Sequence, residues 1–267
     1  MTRLMLKEEP PLRLSAATLL PERLARLSAR EIERLPLAVG RMPGSVGDWF
    51  RVSAGDGEAL EIEGPCRRLD RIGAGMSTGR IAVRGDAGAY LGLGMRGGSI
   101  SVAGSAGFGA ATALGGGLVR IAGDAGDGLG GALPGNAGGM QAGVVIVGGK
   151  AGAAAGARLR RGLVVIAGAT GEACGAEMIA GTIVVGGALG AHTGAAMRRG
   201  SILALDTVER LGPGFVDCGR HELVFARLLA RHLVGLGLDA LARRIGVLRR
   251  FAGDAAVGGR GELLLAA

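Results

Sequence analysis

Aromatic residues are nearly missing from this sequence: one Trp, one Tyr and five Phe stand among 267 residues. A core built on ring packing is therefore excluded, and so are the rows of aromatics that stack bases along a single-stranded nucleic acid or line a polysaccharide groove. Cysteine is as scarce. Cys66, Cys174 and Cys218 are too few and too scattered for a disulfide framework or a CxxC metal site. Only Lys7 and Lys150 are lysines, so the formal net charge of +8 rests on arginine, the residue suited to fixed bidentate contacts with carboxylate or phosphate. Proline occurs eight times and no Gly-X-Y period is present, which removes collagen despite 54 glycines. The first residues, MTRLMLKEEPP, lack the apolar core of a secretory signal, and a reduced, cytoplasmic protein is expected. Uncharged runs such as Gly97–Val119 and Gly128–Gly149 are long enough to span a membrane, but their glycine density is poor for an isolated helix and they fall in phase with a repeat.

That repeat organises the chain. GRIAVRGDAG begins at Gly79 and returns as GSISVAGSAG at Gly98, GLVRIAGDAG at Gly117, GVVIVGGKAG at Gly143, GLVVIAGATG at Gly162 and GTIVVGGALG at Gly181, fading into GSILALDTVE at Gly200. A degenerate copy, LEIEGPCRRL, precedes them at Leu60. Starts are nineteen residues apart, except for one step of twenty-six that carries the insertion around DGLGGALPGNAGG. Positions 3 and 5 of each copy alternate as β-branched residues (Ile81/Val83, Ile100/Val102, Val119/Ile121, Val145/Val147, Val164/Ile166, Ile183/Val185), the period of a strand with one buried face. A Met or Leu column follows: Met76, Met95, Leu114, Met140, Leu159, Met178 and Met197. Such a unit is too short to close its own core, so copies must stack. The expected fold is all-β: a right-handed parallel β-helix of about eight coils, a rod of roughly 38 Å at strand spacing. Residues 1–59 are read as N-terminal cap and lead-in, 60–208 as the β-helix, and 209–267 as a C-terminal helical extension with a small strand pair around Gly258-Gly259. Pro21 and a Ser28–Glu31 capping box mark short helices in the cap. HELVFARLLARHLVGLG places Leu223, Phe225, Leu228, Leu229 and Leu233 on one helical face.

Two surfaces stand out. The outward strand positions become apolar from Gly143 onward, at Val144, Ile146, Leu163, Val165, Val184 and Leu203. A sheet face that loses its alternation is covered, either by the chain's own C-terminal helix or by a partner subunit. Arg96, Arg160, Arg161, Arg198 and Arg199 share the last two positions of a copy and so one edge of the rod. That edge is either simply solvated or a track for a polyanionic tail or an acidic protein surface; nucleic acid fits least. No catalytic residue and no metal ligand set is recognised. Cys174 and His192 fall at neighbouring phases of adjacent coils, where the two could approach as a nucleophile–base pair, although a structural reading is favoured. Asp86, Asp124 and Asp127 are read as turn formers.

The run RIGAGMSTGRIAVRGDAGAYLGLGMRGGSISVAG resembles the C-terminal β-helix domain of the glutamate synthase large subunit. More closely it resembles the C subunit of formylmethanofuran dehydrogenases. That resemblance includes the lead-in EIERLPLAVG…GDWFRVSAG, IGAGM, LPGNAGGMQAG and MRRGSI, and covers about residues 30–205. The tail FVDCGRHELVFARLLARHL with GDAAVGGRGELL resembles the bacterial branch, the formyltransferase/hydrolase complexes of methylotrophs. The resemblance implies a non-catalytic scaffold subunit. Its partners would be an amidohydrolase-like metal subunit, a formyltransferase subunit and a further subunit. Such complexes move a formyl group from formyl-tetrahydromethanopterin to a furan-type carrier of the methanofuran/methylofuran kind and release formate. The polyglutamate tail of that carrier is then a candidate partner for the arginine edge. A structural domain of the glutamate synthase type is the competing expectation, and neither involves nucleic acid or a membrane.

Overall fold

Strand residues recur at Arg80–Val83, Ser99–Val102, Leu118–Ile121, Val144–Val147, Leu163–Ile166, Thr182–Val185 and Ser201–Ala204, once per repeat. In the computed structural model, which describes every residue except Ala38 of the lead-in, Arg41 and Ala267, these strands pair in parallel without slippage. Ile81 lies against Ile100, Ile100 against Val119, Val119 against Val145, and the column continues through Val164 and Ile183 to Ile202. A second ladder runs through Ala87, Ala106, Ala125, Ala151 and Thr170. At a third corner the amides of Arg96, Gly115, Gln141, Arg160, Ile179 and Arg198 donate to the carbonyls of Met76, Met95, Leu114, Met140, Leu159 and Met178. Each repeat is thus bonded to the next around its circumference, as a parallel β-helix requires. The β-branched column and the whole Met/Leu column are buried in one continuous core.

The connecting half of a repeat is wound by left-handed residues at its positions 12, 14 and 16, for example Ala154, Gly156 and Arg158, or Ala173, Gly175 and Glu177. The middle one faces the core. A β-carbon on Gly156 would stand 2.5 Å from Ile183 Cδ1, and one on Gly175 2.5 Å from Ile202 Cδ1, so only glycine fits there. The flanking two are not confined to glycine: Tyr90, Ala154, Arg158, Ala173, Glu177, His192 and Ala196 all adopt positive φ. The corner aspartates do more than form turns. Asp86, Asp124 and Asp127 each accept the amide of the following coil, at Ser105, Lys150 and Ala153, over 2.7–2.8 Å.

The sheet extends beyond the repeat at both ends, to thirteen strands. Thr2–Leu6 pairs in parallel with Ala59–Glu63 and antiparallel with Phe50–Ser53, so the stack starts earlier than Leu60. The short helices Pro21–Leu24 and Ala29–Glu33 lie between the first and second of these strands along the chain, the second helix held by the Ser28–Glu31 capping box. At the other end Gly261–Ala266 pairs in parallel with Ser201–Ala204 and antiparallel with Leu248–Gly253, which meets Val216–His221.

The tail helix Val224–Gly235 lies on the outer sheet face and buries Ala226, Leu229 and Leu233. Two of the residues assigned to its apolar face do not belong there: Leu228 is 58 % exposed and Phe225 39 % exposed. The reason is helical phase. At about 100° per residue the buried Ala226, Leu229 and Leu233 span an arc of roughly 60°, and Phe225 and Leu228 lie about 70° and 130° from its middle. No helix among the described residues is long and apolar enough to cross a membrane.

Because Ile183 is fully buried between the coils of Val164 and Ile202, Ile183→Ala is expected to cost about 2–4 kcal/mol. The shift of the urea midpoint measures it, with Ser101→Ala, on the uncovered face, as a near-neutral control.

Candidate functional site

All five arginines of the predicted edge are exposed and share the third corner, but the structure does not bring them into one row. Gly115 and Gln141 occupy that column between Arg96 and Arg160, and Ile179 occupies it between Arg160 and Arg198. At about 4.8 Å per coil, Arg160 and Arg198 are about 10 Å apart, whereas Arg96 stands about 14 Å from Arg160 on the far side. Arg160 and Arg198 face a common groove of about 550 Å³, walled by Ala137 of the insertion, Glu177, Ile179, Ala196 and Val257 of the tail.

A residue absent from the predicted edge, Arg158, completes the groove. It occupies position 16 of its repeat, the left-handed position that aims outward. Its Nε and Nη2 donate to the two carboxylate oxygens of Glu177, one coil on, at 3.1 and 3.2 Å, and its Nη1 donates to the Asn136 carbonyl at 3.1 Å. Glu177 is therefore engaged, and among the described residues no carboxylate forms an ion pair with Arg160 or Arg198. A flexible polycarboxylate is the ligand class this arrangement suits. The phase of Arg158 is the signal in the sequence, legible only once position 16 is known to face out.

The six apolar outer positions meet the tail. Ile146, Leu163, Val165, Val184 and Leu203 form one buried cluster with Ala226, Leu229, Leu233, Leu241 and Leu264, and Val144 packs at its edge. Arg120 donates from the sheet to the Leu236 carbonyl at 3.0 Å and so caps the helix C-terminus.

Cys174 and His192 do not form a reactive pair. Cys174 lies on the core side of its coil and His192 on the outer side of the next, so the thiol is fully buried while the imidazole is exposed. Burial pushes the Cys174 thiol up to about 12, the opposite of an activated nucleophile. His221 Nε2 donates to the Cys218 carbonyl at 2.8 Å, a local turn contact. Among the described residues no three His, Cys, Asp or Glu side chains converge as a metal site. A buried carboxylate stands in the sheet at Glu61, whose side chain is 2 % exposed and pairs with both Arg84 and Arg3. The Arg84 hydrogen bond, with that of Arg3 behind it, holds its carboxyl below the usual glutamate range against the opposing effect of burial.

No protein-family model matches the chain. It is 43 % identical over 91 residues to the C subunit of the formyltransferase/hydrolase complex Fhc of Methylorubrum extorquens, a segment that covers 34 % of either chain. It is 33 % identical over 75 residues to the C subunit of a tungsten-containing formylmethanofuran dehydrogenase from Methanococcus maripaludis, covering 27 % of this chain and 28 % of that one. These matches span about a third of the length of the curated relatives. The structural similarity is much more extensive. A chain of the crystal structure of the complex FhcABCD from Methylorubrum extorquens, determined with methylofuran, superposes at a TM-score of 0.95 with 42 % identity, covering 99 % of both chains. The chain belongs to the C-subunit family of formyltransferase/hydrolase complexes and formylmethanofuran dehydrogenases.

Within this C-subunit chain the Glu61 cluster predicts a pH dependence. A carboxyl lowered in the folded state stabilises above the ordinary glutamate range and loses that contribution as pH falls through its folded value. Glu61→Gln is therefore expected to lower the thermal midpoint at neutral pH, and the gap to the unmodified chain should shrink as pH falls below the ordinary glutamate range. A gap that stays constant in thermal melts between neutral and acid pH would contradict the pairing.

Proposed function

We propose that this chain is the scaffold subunit of a formyltransferase/hydrolase complex that transfers a formyl group from formyl-tetrahydromethanopterin to a furan-type carrier and releases formate. The observation that carries the reading is the superposition, at 42 % identity over 99 % of both chains, on a chain of a complex that was determined with methylofuran. In this reading the chemistry belongs to an amidohydrolase-like metal subunit and a formyltransferase subunit of the same cytoplasmic assembly. This chain supplies a rigid rod and its faces. Its architecture is a right-handed β-helix of about eight coils over residues 60–208, with residues 1–59 as cap and lead-in and residues 209–267 as the extension that covers the apolar outer face.

Contact with the carrier is assigned to the arginine edge. Arg160 and Arg198, with Arg158 held in place by Glu177, offer guanidinium groups to a chain of carboxylates such as a polyglutamate tail. Arg96, Arg161 and Arg199 extend the same positive edge and add long-range attraction that salt screens.

The chain, isolated with an affinity tag from its own cells, is expected to bring down a formyltransferase subunit and a metallo-hydrolase subunit in constant ratio. Recovery as a lone monomer contradicts the assignment. Changing Arg96, Arg160, Arg161, Arg198 and Arg199 to Gln in that complex should reduce the carrier retained after a salt wash, with the Arg160/Arg198 pair accounting for most of the loss. Full retention at raised salt in the fivefold variant rules out the carrier contact while leaving the subunit assignment standing.

A further inference from the structure

Position 6 of each repeat, just past the strand, forms a column of its own: Arg84, Ala103, Ala122, Gly148, Ala167, Gly186 and Leu205. Its first four members are exposed, Ala167 is half-buried, and Gly186 and Leu205 are buried. What changes along the column is the tail. Arg244 donates from Nη1 to the Gly186 carbonyl at 2.8 Å and from Nη2 to the Leu205 carbonyl at 2.6 Å. Leu241, one turn earlier, rests on Gly186, where a β-carbon would stand 2.7 Å from its Cδ2. A leucine followed three residues later by an arginine thus occupies two rungs of a ladder of small residues and outward carbonyls.

The ladder continues past the tail. Among the described residues the carbonyls of Ala103, Ala122, Gly148 and Ala167 accept no hydrogen bond from the protein. A groove of about 420 Å³ runs along these rungs, floored by Ser101 and Ile146 and closed at the tail end by Leu238. The two arginines on its wall are already engaged, Arg84 with Glu61 and Arg120 with the Leu236 carbonyl. The open demand of the groove is therefore for an aliphatic side chain and for hydrogen-bond donors, the same demand that Leu241 and Arg244 meet further along.

We infer that the ladder from Ala103 to Ala167 is a docking rail for a segment of another subunit, one that presents an aliphatic side chain and, three residues on, an arginine. The inference rests on the chain being a subunit of a hetero-oligomer. Small side chains admit the partner backbone closely, the aliphatic group fills the groove, and the guanidinium bridges two successive carbonyls as Arg244 does. The tail and the partner then form one continuous layer over the sheet.

The test places a photoreactive p-benzoylphenylalanine at Ala122, and at exposed Glu172 on another corner as control, in the chain co-purified with its natural partners. The expected result is a cross-link from position 122 to another subunit, in a segment with the aliphatic–arginine pair, well above that from position 172. In parallel, Ala122→Phe should weaken subunit association about tenfold or more relative to Ala122→Ser, the scale of losing an interface anchor. An intact complex with no excess cross-linking at position 122, a cross-link to a second copy of this chain, or one to a segment without the pair overturns the rail alone. Recovery of the chain without other subunits overturns the subunit assignment and the rail together.

Discussion

The side chains of Ile183 and Ile202 come so close to the backbone of Gly156 and Gly175 that a single β-carbon would lie inside their contact distance. This approach decides how far one coil can sink onto the next, and the rest of the structure depends on it. Around it the strands keep hydrogen-bonding register, left-handed residues turn the chain in few steps, and the aliphatic core closes without aromatic rings. Where the facing column is valine the demand relaxes: a β-carbon on Gly130 would meet Val164 Cγ2 at 3.5 Å, an ordinary contact. Ala111, the equivalent residue one repeat earlier, is an alanine in left-handed conformation, and the column residues of the next two coils are Val119 and Val145.

The same winding also decides where polar groups go. Its middle residue points into the rod and its flanking residues point out, so each coil has two outward places, filled here by Gly, Ala, Tyr, Arg, Glu and His. Arg158 and Glu177 occupy such places in successive coils and bind each other. The strands contribute a second kind of surface, whose early coils are small and polar and whose later coils are greasy and covered by the tail. A rod of this construction presents faces of different chemistry at fixed spacing.

Much of this is legible in the amino-acid order. The nineteen-residue phase, the paired β-branched positions and the Met/Leu column translate directly into register, because a period of two and a fixed repeat leave few alternatives. The tail strand pair and the Ser28 capping box are visible for similar local reasons. Thr2–Leu6 escapes a reading by pattern although Thr2, Leu4 and Leu6 alternate with Arg3 and Met5, since five residues beside charged neighbours carry too little periodic signal alone. Phase locates the arginine edge at a corner but does not show the gaps between coils, so it groups Arg96 with residues about 14 Å or more away. Phe225 and Leu228 fall outside the buried stripe because that stripe is narrow: Ala226, Leu229 and Leu233 span roughly 60° of the helix, and the apolar residues beyond that arc face solvent.

The most direct measurement compares two substitutions that differ only in what faces them. Gly130→Ala and Gly175→Ala both force alanine into a left-handed conformation, at about 1–2 kcal/mol. Only the second drives a methyl into an isoleucine, at a further ~1–3 kcal/mol. Denaturant unfolding of the two variants should therefore show Gly175→Ala clearly less stable than Gly130→Ala. Equal losses would mean that the glycine–isoleucine approach does not set the stacking of the coils.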